Sequence, residues 1–145
     1  MAPDPARGVG WIGHRREATQ MGTWDPADLR AIGSAREIQI AIMRRDGSTR
    51  TPLPIWVVRV GDELFVRSYH GPEGSWFRQV AAHPYAHIRA AGREFAVRLL
   101  PAESPSRAEV DNAYFAKYGR SGPAAAMITP AVAATTLRVE PSDPT

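Results

Sequence analysis

The chain has no cysteine. That removes a disulfide framework, a thiolate metal site and a cysteine nucleophile together. It has almost no lysine: of 18 basic residues, Lys117 is the one that is not arginine. No apolar run approaches the roughly 20 residues that span a membrane. Residues 1–20 lack the apolar core of a signal peptide, so the expected location is the cytoplasm. No G-x-G-x-x-G follows a strand, and there is no P-loop, no G-x-S-x-G and no H-E-x-x-H. These gaps argue against a dinucleotide fold, an NTPase, an α/β-hydrolase and a zinc protease. No basic run is interleaved with aromatics, so nucleic acid is not an expected partner. His83 and His87 are four apart, but Pro84 breaks any helix between them, and no metal site is expected. No internal repeat is visible.

What remains is a chain of 145 residues, enough for one domain that buries about two-thirds of its unfolded surface. The hydrophobic share of 43% is ordinary for such a domain. The net charge is +3 and the pI about 9.8. A surplus carried by arginine suits phosphate or carboxylate recognition, because the planar guanidinium binds both oxygens at once. Arginines scattered over the surface by codon bias are the competing explanation.

Residues 1–23 read as a tail, either disordered or folded over a groove, with Trp11-Ile12 its sizeable apolar pair and His14-Arg15-Arg16 its basic cluster. Asp25-Pro26-Ala27-Asp28 is a helix start, and Gly33 a stop. Residues 36–45 alternate, with Ile38, Ile40 and Ile42 on one face, as in a half-buried strand. Asp46-Gly47 turns the chain. A strand from about Thr49 to Val60 follows, and Pro52 and Pro54 make its start an edge or a bulge. Gly61-Asp62 is a second hairpin turn. The strand from Glu63 to His70 puts Leu64, Val66, Ser68 and His70 on one face and Phe65, Arg67 and Tyr69 on the other.

Residues 75–82 form a helix that His83-Pro84 ends. Residues 86–90 and 94–100 make another hairpin. Ser106-Arg107-Ala108-Glu109 is a capping box, and its helix ends at Gly119. Residues 122–126 read as small and flexible. A last strand covers 135–140, and 142–145 are tail. Six strands in antiparallel hairpins with inserted helices suit a small barrel or sandwich over residues 24–141.

The corner where the second hairpin feeds the 75–82 helix is the candidate site. A helix start carries unpaired N–H groups and the positive end of a dipole, so it can receive an anion. His70 can donate to a phosphate or move a proton, or be a plain rim histidine. Ser68 can bond a ligand or end its strand. Trp76 can stack on a planar ring or anchor the core. Arg78, one turn in, can reach the same anion. Tyr114, Lys117 and Tyr118 share a helical face. They form either a substrate wall with a proton donor or a packed aromatic face with a snorkelling lysine.

The run Thr51-Pro52-Leu53, then Ser68-Tyr69-His70-Gly71, Ser75-Trp76-Phe77-Arg78 and His83-Pro84 resembles the flavin- and deazaflavin-binding split barrels. That superfamily includes the pyridoxamine-phosphate-oxidase-like proteins and the deazaflavin-dependent nitroreductases. Residues 110–119 and 134–139 look like a small bacterial family of unassigned function within it.

The resemblance implies a mainly β (α+β) fold, a six-stranded antiparallel split β-barrel that dimerises with ligand in the subunit groove. It implies FMN or a deazaflavin coenzyme near Arg50, Thr51, Pro52, Ser68, His70, Ser75, Trp76 and Arg78. His70, Tyr114 and Tyr118 would then face a small-molecule substrate. The segment Arg44-Arg45-Asp46-Gly47-Ser48-Thr49-Arg50 departs from the basic, glycine-rich lead-in of the nitroreductases. Three functions follow: a flavin or deazaflavin oxidoreductase, a cofactor-free barrel that binds or cyclises an apolar biosynthetic intermediate, and a dimeric binding protein without catalysis.

Overall fold

The computed structural model describes residues 23–102 and 107–142. The expected tails and the Ser106 cap lie outside the described residues. Helix α1 (Pro26–Ser34) starts where the sequence indicates: the Asp25 carboxylate accepts the Ala27 N–H at 3.1 Å, with Pro26 in the first turn. It leads into β1 (Ile38–Ile42), whose isoleucines are buried while Gln39 is exposed. Next come β2 (Leu53–Ile55), β3 (Val58–Val60) and β4 (Glu63–Val66). A 3-10 turn at Gly71–Glu73 precedes α2 (Ser75–Ala82). The β5 (Tyr85–Ala90) and β6 (Arg93–Pro101) hairpin turns on Ala91 and Gly92, both at positive φ. Helices α3 (Arg107–Tyr118), α4 (Pro123–Ala126) and α5 (Pro130–Ala133) precede β7 (Leu137–Pro141).

The strands form one antiparallel sheet in the order β2-β1-β5-β6-β7-β4-β3. Its two edges, β2 and β3, are separated in the chain by only Trp56 and Val57. Three Cα steps reach at most about 11 Å, whereas the edges of a flat seven-stranded sheet would lie roughly 29 Å apart. The sheet must therefore roll up, with Trp56-Val57 as the corner that brings its edges together. The expected strand over 49–60 is thus broken into two, and the sheet has seven strands rather than six. Rolling leaves no long edge exposed.

Two cores result. Inside the barrel, Ile38, Ile40, Ile42, Leu64, Val66, Ile88, Val97, Leu99 and Val139 pack with Leu29 and Ile32 of α1 and Val80 of α2. Trp24 joins them edge-on to Phe95 and donates its indole N–H to the Val139 carbonyl at 2.8 Å. Outside the barrel, Val58 and Phe65 pack under Val110 and Tyr114 of α3, with Met127 and Val132. This second layer is why β4 is apolar on both faces. A strand buried on both sides loses its alternation.

Three other expectations change. Residues 122–126 are not loose: Pro123–Ala126 is a short helical turn. The last strand starts at Leu137, because Thr135 and Thr136 bond back to Val132 and Ala133 as a turn. The strand expected to reach His70 stops at Val66. Beyond it, Arg67 buries its side chain rather than facing solvent. Its guanidinium donates to Asp111 Oδ1 at 2.6 Å, the Met127 carbonyl at 2.8 Å and Thr136 Oγ1 at 2.9 Å. Ser68 is buried and His70 exposed, so the two do not share a strand face.

Candidate functional site

The loop from Arg67 to Gly74 sets the position of α2. The Ser68 amide donates to Thr135 Oγ1 at 2.8 Å, and its hydroxyl donates to the Gly71 carbonyl at 2.8 Å. Gly74, the residue before α2, has a φ open to any residue, but space there is closed: a Cβ would overlap Ser68 Oγ. Gly74 offers no side chain to cap the helix, so the first N–H groups of α2 have no side-chain acceptor. His70 is exposed beside this start, with its Cβ 3.6 Å from where a Gly74 Cβ would stand and its ring edge-on to Tyr69.

The other wall comes from the β1–β2 connection. Asp46 holds its turn by accepting the Ser48 amide at 2.9 Å and hydroxyl at 2.7 Å. The Ser48 hydroxyl and amide, with Arg44 nearby, hold the Asp46 carboxyl below its ordinary range. Register then slips. Leu53 pairs with Ile40, the Arg50 amide donates to the Ile42 carbonyl at 2.8 Å, and Thr49 bridges Met43. Two residues of β1 are matched by three of the returning chain, so Thr51-Pro52 holds one extra residue. This is a β-bulge, where the proline at 52 removes a donor the ladder cannot use. Bulges re-aim side chains, and here Arg50, Thr51 and Pro52 are all exposed.

Between these walls lies an open cleft of about 560 Å³. Among the described residues its lining includes Arg44, Arg45, Arg50, Ser75, Arg78 and His83, and no carboxylate. Arg45 donates to the Ala82 carbonyl at the end of α2 at 3.0 Å, which ties the two walls. Arg44 donates to the Thr49 carbonyl at 3.0 Å and so stays on its own turn. The Arg50 and Arg78 amides bond to the Ile42 and Gly74 carbonyls, and their guanidiniums have no hydrogen bond or ion pair among the described residues. Among the described residues, four guanidiniums with no counter-charge in the lining form an anion-attracting surface, and two of them are without a partner.

Three of the expected binding residues, Arg50, Ser75 and Arg78, therefore meet in one cleft. Thr51 and Pro52 sit on its bulge. Trp76 lies partly buried against the barrel core, edge-on to Phe77. Ser68 faces inward and structures the loop. Arg44, Arg45 and His83 also line it, with Met43, Gln79 and Ala82, and none of them is an expected site residue. The Arg44-Arg45 doublet beside an Asp-Gly turn was the available signal.

Tyr114 and Tyr118 stand elsewhere, on α3. Tyr114 is fully enclosed, and its hydroxyl has no hydrogen-bond partner among the described residues. Burial pushes that phenol well above its ordinary range. Tyr118 stacks on Trp56, with ring centroids 3.9 Å apart, and donates to the Arg36 carbonyl at 2.8 Å. Burial raises its hydroxyl to about 12. Lys117 donates to the carbonyls of Val57 at 2.6 Å and Gly33 at 3.0 Å. Burial, and then the Arg36 charge, lower its ammonium to about 8. The last turn of α3 thus fastens the corner that closes the barrel, where the sheet leaves backbone carbonyls unpaired. Among the described residues no group of histidines and carboxylates could hold a metal ion, and no helix is long and apolar enough to cross a membrane.

Residues 28–139 match a bacterial family, DUF2255, described as an uncharacterized protein conserved in bacteria, and the chain belongs to it. No curated protein matches. Among solved structures, the chain is similar to the conserved hypothetical protein Rv2991 from Mycobacterium tuberculosis at 11% identity and a TM-score of 0.56, covering 90% of this chain and 85% of that one. It is similar to HutZ, the heme storage protein from Vibrio cholerae, at 12% identity and a TM-score of 0.57, covering 82% and 90%. ChuZ from Campylobacter jejuni follows at 14% and 0.54, covering 79% of this chain and 51% of that one. At such identities the likeness shows a shared fold.

Proposed function

We propose that this chain is a small-molecule oxidoreductase of the cytoplasm that holds a flavin or deazaflavin coenzyme by its phosphate in the arginine cleft. The observation that carries the reading is the Arg50 and Arg78 guanidinium pair, which among the described residues has no partner, in a cleft lined by four arginines and no acid. The residues fit a phosphate. Two free guanidiniums offer bidentate donors, Ser75 adds a hydroxyl, and the uncapped start of α2 adds N–H groups. The cleft volume falls within the roughly 300–1,000 Å³ range of small-molecule sites. When bound, such a coenzyme supplies hydride and electron transfer.

The chain's own part is to bind and orient. Arg50, Arg78 and Ser75 take the anion, with Arg44 and Arg45 adding field. Thr51 and the Pro52 carbonyl at the bulge meet the adjoining polar groups. Trp76, in the first turn of α2, is the proposed wall for the ring, and exposed His70 can hand over a proton at its rim. The cleft is open on one side, and a second copy of the chain is the proposed cover that excludes water. Roles in catalysis for Tyr114 and Tyr118 are not carried forward, since both phenols are committed to packing on α3.

A second reading rests on His83, an imidazole in the same arginine-rich lining. Heme presents carboxylates for arginine and iron for imidazole. An absorption spectrum of purified protein, followed by titration with FMN, a deazaflavin coenzyme and hemin, separates the readings. The first expects a flavin or deazaflavin complex that weakens about tenfold or more in Arg50→Ala and in Arg78→Ala, since a charge-assisted hydrogen bond is worth about 1.5–3 kcal/mol. Binding of neither coenzyme, with a Soret band on adding hemin that His83→Ala abolishes, favours the second. The cleft's arginine lining gives no support to an apolar intermediate as its ligand.

A further inference from the structure

The arginine cleft is longer than a single phosphate needs. From α2 it is lined by Ser75, Arg78, Gln79, Ala82 and His83, the i, i+3, i+4, i+7, i+8 pattern of one helical face. The lining therefore runs from the first residue of α2 to the residue after its last, a span of about 12 Å. Sheet order sorts the cations of the opposite wall along that face. Helix α2 leads into β5, and β1 lies between β5 and β2. Arg45, which follows β1, meets the end of α2 and donates to the Ala82 carbonyl at 3.0 Å. Arg50, which precedes β2, lies one strand further from β5 and so falls to the earlier turns, with Ser75 and Arg78.

Each end is prepared for an anion. At the early end Gln79 Nε2 donates to Ser75 Oγ at 3.3 Å, so the Ser75 hydroxyl keeps its own proton for a ligand. At the far end the backbone carbonyls that would repel an anion are already bonded: Gln79 by the His83 amide, Ala82 by Arg45, and His83 by the Tyr85 amide. Arg45 is exposed, gives only one N–H of its fork to Ala82, and has no ion pair among the described residues. His83, next in the chain to Ala82, adds a half-buried imidazole whose ring lies 5.1 Å from that of Tyr85. Arg44 lies close to the Asp46 carboxylate, which offsets part of its charge, so the far end rests on Arg45 and His83.

We propose that the cleft has a second anion subsite at the end of α2, formed by Arg45 and His83, and that its ligand is an elongated molecule with a phosphate or carboxylate at each end. This rests on the reading of the cleft as a phosphate site. The first anion sits with Ser75, Arg78 and Arg50, and the second lies about 9 Å further along α2. A ligand with one phosphate leaves Arg45 without a counter-charge, and a ligand whose two anions are adjacent cannot reach both ends. Joining the anions through a spacer makes the second contact intramolecular, so the pair binds more tightly than either anion alone.

The test titrates the full chain by calorimetry with hexyl phosphate, methylenebisphosphonate and the bisphosphate of hexanediol. The first has one anion, the second has two that are adjacent, and the third has two at the ends of a chain able to span the helical face. We expect the hexanediol bisphosphate to bind at least about tenfold more tightly than either of the others. Arg45→Gln should remove that gain and leave hexyl phosphate within about twofold of its original affinity. Arg45→Lys, which keeps the charge, should retain most of the gain, and Arg78→Ala should weaken hexyl phosphate and the bisphosphate alike. Equal affinity for these two probes, with Arg78→Ala weakening both, overturns the second subsite and leaves the phosphate reading standing. A gain that survives Arg45→Gln, or that methylenebisphosphonate matches, also overturns the subsite. Binding of none of the three overturns the subsite and the phosphate reading together.

Discussion

Replacing Arg67 by methionine is expected to destabilise the fold more than any other surface-sparing change considered. The guanidinium is fully enclosed and reaches three acceptors within 2.9 Å, on α3, on the chain after α4 and ahead of β7. Methionine fills part of the stem volume and supplies no donor. Asp111 then keeps a charge without its partner, and the buried Met127 carbonyl loses a hydrogen bond. Breaking a buried pair by removing one member costs about 3–5 kcal/mol. Asp111 is 27% exposed and can regain water, which places the cost near the lower end, at about 3 kcal/mol. For a domain of this size that is a fall in Tm of roughly 10 °C. Urea unfolding followed by far-ultraviolet circular dichroism measures it. The double variant Arg67→Met/Asp111→Asn should lose clearly less than the sum of the single changes, because neither leaves the other's charge stranded. A cost for Arg67→Met below about 1 kcal/mol, or strict additivity, would refute the reasoning.

Other changes give expectations of different sign. Tyr114→Phe removes an enclosed hydroxyl that has no partner among the described residues, so stability should hold or rise by up to about 1 kcal/mol in urea unfolding. Gly74→Ala should cost about 1–2 kcal/mol, because Ser68 Oγ must leave the Gly71 carbonyl to make room, and it should also weaken ligand binding by shifting the start of α2. Burial alone would raise the Glu140 carboxyl, but hydrogen bonds from Arg138 and Arg98 outweigh it and hold it below 4.5. A depressed carboxyl contributes stability above its unfolded value that is lost as pH falls through the folded one. Glu140→Gln should therefore flatten the stability curve below pH 4.5, and an unchanged acid limb would contradict this.

Much of the fold could be read from local chemistry, because local chemistry decides it. The Asp25-Pro26 start, the 75–82 helix, its stop at His83-Pro84 and the Gly61-Asp62 turn all depend on groups within a few residues of one another. The proline-marked bulge is of the same kind. What could not be read depends on distant partners. Trp56-Val57 looks like uninterrupted strand, and only the meeting of two sheet edges makes it a corner. Arg67 alternates like an outward residue, and its burial requires Asp111, Met127 and Thr136 to converge from other parts of the chain. At the site, Arg78 is legible as a residue type beside a helix start, whereas Arg50 and Ser75 follow only from the family resemblance. Arg45 is not legible, because its role appears only when it donates across to the Ala82 carbonyl. The tyrosines of α3 suit a substrate wall by spacing alone, but Tyr114 is buried in the outer core and the hydrogen bonds of Tyr118 attach it to the barrel corner.

The central claim is that the cleft between the bulge and α2 recognises a phosphate. Comparing the affinities of the purified chain for FMN and for riboflavin, which share the ring and differ in the phosphate, tests it most directly. The account predicts FMN to bind at least about tenfold more tightly, with the advantage shrinking as salt rises. Equal affinity for both, or an FMN preference that survives Arg50→Ala/Arg78→Ala intact, would contradict it.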